Sequence, residues 1–372
     1  MNIQSLIGRD AGLFTPDLIR YETNLKEMVK NARFLVIGAG GTIGQAVTRE
    51  IFKREPAVIH AVDINENGLV ELIRDIRSSL GYAGVDLRTF ALDCASREFE
   101  ALCSSEGDYD YVFNLSAIKH VRSEKDPFTL MRMVRVNILN TLKTLKIAQS
   151  SETKKYFCVS TDKAANPVNM MGASKSIMEM FLMRESLNQS ISTARFANVA
   201  FSDGSLLHGF KQRIEKRQPI SAPRDVQRYF VTPQESGEIC LFSGLLGGNR
   251  EIFFPKLNEE THLNTFSDIA VRYLEALNYK AYMCETEDEA RNRSEELISR
   301  GLWPCYFFDS DTTGEKDVEE FYSKKENIDL LRYEGLGVIS KEPLFDNAKL
   351  ELFLHGIGVL LKKPSWNKKD IL

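Results

Sequence analysis

The sequence predicts an α/β protein: a doubly wound parallel sheet, a smaller α+β lobe and a C-terminal extension. Three observations carry this. Short apolar runs alternate with amphipathic stretches from about residue 34 to about residue 200. The first run ends in a glycine-rich turn that opens a helix. The alternation then fades, and 372 residues are long for one hydrophobic core.

Residues 15–31 read as a helix. Thr15 can cap it, Pro16 suits its first position, and Leu18, Tyr21, Leu25 and Met28 share one face. Strands are expected at Phe34–Ile37, Val58–Val62, Leu87–Leu92, Tyr111–Asn114, Tyr156–Val159 and Thr193–Phe196. Helices follow from Thr42, Leu69, Phe128 and Met171. Strands that alternate with helices argue for a parallel sheet covered on both faces. Residues 210–260 mix loops, short helices and strands, and residues 265–300 read as mostly helical. The acidic stretch Glu285–Glu296 is a solvated helix face. From Trp303 the tail carries aromatics and charges without clear periodicity.

Composition excludes several classes. Apolar residues are 43%, charged residues 27% and the net charge is -4, so neither nucleic acid nor an anionic membrane is expected as partner. No apolar run approaches the ~20 residues that span a bilayer, and residues 1–10 lack a signal peptide's order. Six cysteines without a CxxC pair fit a reduced, cytoplasmic compartment, and five scattered histidines give no metal-ligand spacing.

The run Phe34–Ile37 leads into Gly38-Ala-Gly40-Gly41-Thr42-Ile43-Gly44. Glycines at 38, 41 and 44 allow a tight turn, close approach of a pyrophosphate, and close helix–strand contact; the helix N-terminus at Thr42 and Ile43 supplies N–H groups and a favourable dipole. Asp63 ends the second strand, where a carboxylate accepts from ribose hydroxyls and repels a 2′-phosphate. This favours NAD, while Arg49, Lys53 and Arg54 keep NADP open. Asp93 ends the third strand, facing the adenine edge; Asn114 and Ser116 follow the fourth at the same sheet edge. This is the signature of a Rossmann-type dinucleotide domain, expected over residues 1–200, with residues 201–372 as a substrate lobe and extension interleaved with it.

Val159-Ser160-Thr161-Asp162-Lys163 leaves another strand, and Met171-Gly-Ala-Ser-Lys175 follows on a helix. Ligands of such sheets sit at the carboxyl ends of strands, so Asp162 and Lys163 offer an acid and a base in one place. GAGGTIG, NLSAIKHV, STDKAANPVNMMGASK, ARFANV and QRYFVTPQES, in that order over residues 30–240, resemble the polysaccharide-biosynthesis branch of the extended short-chain dehydrogenases. That branch holds the UDP-N-acetylglucosamine 4,6-dehydratases, and in size the soluble dehydratases of legionaminic acid synthesis are most similar. The stretch from Trp303 through Asp309, Asp311 and Gly314 also resembles that subgroup.

The resemblance implies a redox-neutral dehydration. Hydride leaves sugar C4, the resulting ketone acidifies C5–H, the C6 hydroxyl departs as water, and the hydride returns to C6. It assigns Lys163 as the C5 base, Asp162 as the acid at C6, Thr161 to the C4 oxygen and Lys175 to the nicotinamide ribose. The step needs Lys163 neutral and Asp162 protonated, which a desolvated pocket beside a nicotinamide cation favours. Lys119 and His120 are implied at the sugar, Asn198 at its phosphates, and Arg224 and Arg228 at the diphosphate, where a guanidinium fork suits paired hydrogen bonds. Asn137 reads as structural.

One position departs from the superfamily. Where a tyrosine one turn before the lysine normally takes the C4 proton, this chain has Met171, a residue shared with some retaining dehydratases. The C4 proton is then left to Thr161, a water or another group. A C4 or C5 epimerase and an inactive NAD-binding regulator stand as alternatives; a plain C4 epimerase needs no Asp162–Lys163 pair. The sequence leaves UDP against GDP open, and the resemblance implies a homo-oligomer.

Overall fold

The computed structural model describes residues 2–310 and 319–372, apart from the side chains of residues 260 and 261. The chain forms two compact units. The larger comprises Pro16–Phe196, Gly237–Pro255 and Glu320–Leu372; the smaller comprises Met1–Thr15, Ala197–Ser236 and Lys256–Glu319.

In the larger unit the apolar runs become strands β1 (Arg33–Ile37), β2 (Val58–Asp63), β3 (Asp86–Ala91), β4 (Tyr111–Asn114), β5 (Lys155–Val159) and β6 (Ile191–Ala194). All six pair in parallel, in the order β3-β2-β1-β4-β5-β6, and Glu251–Pro255 adds a seventh parallel strand beyond β6. Burial of β1, β4 and β5 is nearly continuous, as expected where both faces are covered. Strand order reverses between β1 and β4, which is the crevice where doubly wound sheets bind ligands.

The predicted strands match the observed ones within a residue, except that Thr193–Phe196 is displaced two residues to Ile191–Ala194. Ladder pairing decides this: Tyr156 pairs with Ile191, and Arg195 N–H already bonds the Phe253 carbonyl. The helix expected over 15–31 spans Thr15–Val29 and buries Leu25 and Val29, with Leu18, Tyr21 and Met28 half-buried beside them.

The tail is more ordered than its sequence suggests. Leu336–Ser340 pairs antiparallel with Glu251–Pro255, and Asn327–Asp329 pairs antiparallel with Leu336–Ser340, completing nine strands among the described residues. Helix Asn347–Leu361 follows, capped by Asp346, and buries Leu350 and Ile357 one face apart by seven residues. Phe353 of this helix lies 6.0 Å from Phe181. Buried side chains such as Phe99, Tyr156, Phe181 and Leu182 form the core beneath it, each worth roughly 1.5–3 kcal/mol of transfer energy.

The smaller unit carries two three-stranded sheets. Gln227–Val231 pairs with Leu263–Thr265 and Asn198–Val199; Leu302–Phe308 pairs in parallel with Lys280–Met283 and Ile220–Pro223. Residues 265–300 are mostly helical, with a strand among them. Lys280–Met283 is a strand because Leu302–Phe308 supplies its ladder, a pairing across some twenty residues that local periodicity does not register. The unit's core gathers Leu207, Phe210, Ile220, Ile269 and Trp303, whose indole N–H donates to the Gln218 carbonyl at 3.0 Å.

No helix among the described residues is long and apolar enough to cross a membrane. All six cysteines are buried and unpaired.

Candidate dinucleotide and catalytic site

β1 ends in a turn that only glycine can make. Gly38 has φ +82°, and a Cβ there would lie 2.8 Å from the Leu115 and Ser116 backbone after β4. At Gly44 a Cβ would stand 2.0 Å from the Gly38 carbonyl, so the helix can sit directly on its own turn. Helix Thr42–Phe52 starts at Gly41, and no side chain caps it. Its first N–H groups therefore suit an anion.

Asp63 holds the next wall, accepting from Gly40 N at 2.9 Å and Asn65 N at 2.8 Å. Asp93 accepts from Ala95 N at 2.8 Å. Gly38, Gly41, Asp63, Asp93 and Ser116 all line one cavity of about 480 Å³ at the strand-order reversal. That volume lies within the ~300–1,000 Å³ of ligand clefts. Thr42, Ile43 and Gly44 supply the helix start above it. These residues fit an adenine dinucleotide: a glycine turn and uncapped helix for the pyrophosphate, and a carboxylate at the ribose position. Asn114 has another task. It is buried, its Nδ2 donates to the Tyr156 hydroxyl at 2.9 Å, and its Oδ1 accepts Ser116 N at 3.1 Å, so it orients the β4 loop from beneath.

The candidate catalytic segment follows β5. Thr161 caps a short turn and donates from Oγ1 to Asp162 Oδ1 at 2.7 Å. Lys163 Nζ lies 3.2 Å from Asp162 Oδ2. Asp162 is buried, whereas the Lys163 side chain is 27% exposed, so the pair opens outward through the lysine.

Helix Met170–Glu185 brings Met171 and Lys175 against this segment, both buried. Lys175 Nζ donates to the Val159 carbonyl at 2.9 Å, and burial holds its ammonium below the usual lysine range. Two further residues of this helix complete the arrangement. Gly172 allows the close approach: a Cβ there would lie 2.6 Å from the Lys163 carbonyl. Glu179, one turn beyond Lys175, accepts from Ser160 Oγ at 2.6 Å and from Arg195 at 2.6 and 2.9 Å. Burial alone would raise Glu179, but the Arg195 charge and hydrogen bonds, with Lys341, hold it at about 2. Glu326 shares Arg195 and Lys341, so a four-charge network centred on buried Glu179 and Arg195 holds Ser160, the residue before Thr161.

Asn137 accepts Ile118 N at 2.9 Å and donates to the Ile118 carbonyl and Ser174 Oγ, from a π-helical turn at Arg135–Leu139. It ties the β4 loop to the Met170 helix, the structural role expected of it. Lys119 and His120 are exposed on that loop, and partial desolvation together with Lys119 lowers the His120 imidazole.

The remaining predicted residues lie in the smaller unit. Asn198 Nδ2 donates to Glu319 Oε1 at 2.6 Å, and buried Arg228 has Nε 3.6 Å from the same oxygen. Glu319, which sequence reading missed, also accepts Tyr229 N at 3.1 Å and so joins the two. Arg224 stands apart: it is exposed and makes a bidentate pair with exposed Asp309 at 2.7 and 2.8 Å. Asp311 and Gly314 lie outside the described residues.

A family model described as polysaccharide biosynthesis protein matches residues 34–296. A Methanocaldococcus jannaschii protein named uncharacterized membrane protein MJ1061 is 32% identical over 241 residues, 63% of this chain and 69% of that one. Capsular polysaccharide biosynthesis protein CapD of Staphylococcus aureus is 32% identical over 268 residues; these are 68% of this chain but 41% of CapD, so the chain spans about two-fifths of that relative's length. A Campylobacter jejuni UDP-N-acetylglucosamine 4,6-dehydratase (inverting) is 29% identical over 244 residues, 62% of this chain and 68% of it. Among solved structures, Pen from Bacillus thuringiensis superposes with a TM-score of 0.67 at 21% identity, covering 88% and 98% of the two chains. The dTDP-glucose 4,6-dehydratase DesIV of Streptomyces venezuelae, solved with NAD and TYD bound, gives 0.60 at 15%, covering 79% and 89%. Both show the same fold.

Proposed function

This chain belongs to the polysaccharide biosynthesis protein family, and from that premise we propose that it is an NAD-dependent 4,6-dehydratase of UDP- or GDP-N-acetylglucosamine. The observation that carries this is Thr161–Asp162–Lys163 at the carboxyl end of β5, with the hydroxyl and the ammonium both on the Asp162 carboxylate. Moving hydride at C4 alone needs no such pair; expelling water from C5 and C6 needs a base and an acid.

Bound in the cavity, the dinucleotide would take the C4 hydride and give it back at C6, ending as it began. The chain's own residues handle the protons. The Asp162–Lys163 pair holds one acidic proton between its two groups. Shifted across the 3.2 Å contact, it leaves a neutral amine to take the C5 proton and a carboxylic acid to protonate the departing C6 hydroxyl. Thr161 couples the step to substrate: its hydroxyl, on Asp162 Oδ1 at 2.7 Å, can turn to the C4 oxygen. Buried Met171 takes no proton, which leaves the C4 hydroxyl proton to Thr161 or a water.

NAD is favoured over NADP by the occupation of nearby cations. Arg49 is held by Asp75 and Ser79, Lys53 by Glu50, and Arg54 by Glu22 and Glu50. Retention at C5 rests on Met171, and the inverting name of the Campylobacter relative makes this a point for measurement. A place in surface or flagellar glycan synthesis of the legionaminic type, a homo-oligomer and a cytoplasmic setting belong to the same proposal.

The test is incubation with UDP- and GDP-N-acetylglucosamine, first without added cofactor. Mass spectrometry reads the loss of one water, and NMR reads the C6 methyl and C5 configuration. A 4-keto product from either nucleotide supports the reading and names the nucleotide. No product, even with NAD or NADP added, removes it and makes Met171 the mark of a binding protein.

A further inference from the structure

The cavity at the strand-order reversal has one wall that the doubly wound sheet does not supply. Gly38, Gly41, Asp63 and Asp93 come from the loops after β1, β2 and β3, but Leu361 and Trp366 come from the C-terminal segment. Trp366 is held there. Its indole N–H donates to the Pro127 carbonyl at 3.1 Å, and its ring centroid lies 6.2 Å from that of Phe128. Phe128 also lines the cavity and is 63% exposed, so part of its ring is open to whatever the cavity holds. Leu361, Trp366 and Ile371 pack on the core, and a capping box between Asn367 and Asp370 sets the helix that follows.

We propose that Trp366, with Phe128, is the adenine-side wall of the dinucleotide site, and that the segment from Leu361 to Leu372 is a latch retaining the cofactor between turnovers. The inference rests on the reading of the cavity as a dinucleotide site. Asp63 and Asp93 mark the ribose and adenine side of that cavity. A purine needs apolar faces there as well as edge partners, and two aromatic side chains meet the need. The latch also suits the chemistry: a cofactor that ends each cycle in its starting redox state has no need to leave.

The test uses the full chain stripped of cofactor. NADH release is followed by its own fluorescence after rapid mixing with excess NAD, and ADP-ribose binding is followed by calorimetry. Trp366→Ala should speed NADH release and weaken ADP-ribose by about 5- to 150-fold, the cost of one lost base–aromatic stack. Phe128→Ala, a change at an exposed side chain, should move both in the same direction, and Trp366→Phe should stay within about threefold of wild type. If wild type binds NADH and both alanine variants release it at the wild-type rate, the latch is wrong and the dinucleotide site stands. If Trp366→Phe releases as fast as Trp366→Ala, the stacking argument fails. If wild type binds neither NADH nor NADPH, the reading of the cavity falls, and the latch with it.

Discussion

Gly172→Ala puts the closest contact of the catalytic region under test. The added Cβ would sit 2.6 Å from the Lys163 carbonyl oxygen and 3.3 Å from Pro167 Cβ. Ordinary C···O approach is about 3.4 Å, so helix and catalytic segment must separate by about 0.8 Å. Misplacing reacting groups by about 1 Å costs on the order of 100-fold in rate. Stability should suffer less: overpacking costs about 1–3 kcal/mol, and replacing a helical glycine by alanine returns up to about 1 kcal/mol. The expected outcome is kcat for 4-keto product formation about 100-fold lower, NADH affinity near wild type, and a net loss of at most about 3 kcal/mol in urea unfolding. A folded variant with kcat within threefold of wild type would refute the claim that Gly172 sets the position of Asp162 and Lys163.

Gly209→Ala is the contrasting case: Gly209 lies inside helix Leu206–Glu215 with nothing within 4 Å of a new Cβ, so the unfolding midpoint should rise by an equivalent of about 0.5–1 kcal/mol. Glu179→Gln leaves buried Arg195 against a neutral amide; urea unfolding should show a loss of about 3–5 kcal/mol, and an unchanged midpoint would mean that Glu326 alone balances it. His60 predicts a pH dependence. It is fully buried, bonds the Tyr109 hydroxyl at 2.6 Å through Nδ1, has no partner at Nε2, and is lowered to about 4 by burial first and the Arg88 charge second. The unfolded chain takes up a proton near pH 6.5 that the fold refuses, so stability is full above that pH and falls on acidification towards 4, by at most about 3 kcal/mol. His60→Gln should flatten this slope; identical slopes would clear His60 as its source.

What the sequence showed and what it hid follow from the range of each interaction. The glycine turn, Asp63 and the Thr161–Lys163 run are legible because their geometry is set by neighbours within a few residues. The parallel sheet is legible because each strand is a dense apolar run. Glu319 is not, since Asn198 lies 121 residues away from it, and nothing near Glu319 in the chain announces that partner. The same holds for Glu326, which meets Arg195 across 131 residues. Leu336–Ser340 escaped because its strand identity comes from pairing with Glu251–Pro255. Helix Asn347–Leu361 escaped for another reason: Leu352 and Val359 are exposed while Leu350 and Ile357 are buried, so apolar residues on both faces blur the period.

Helix Thr15–Val29 depends on residues far along the chain from it. Asp17 accepts Glu334 N and Gly335 N, both at 2.7 Å, across 317 and 318 residues, and Tyr21 lies 5.1 Å from Tyr333. On a ribosome, this helix waits for those residues with its buried carboxylate unmatched. The catalytic motifs are finished by residue 175, yet the element that precedes them gains its last partners only after residue 335 has cleared the exit tunnel. Ribosomes stalled anywhere between those two points would display a nascent chain with every site residue of β1 to β5 present and its opening helix still undocked, open to proteases and chaperones.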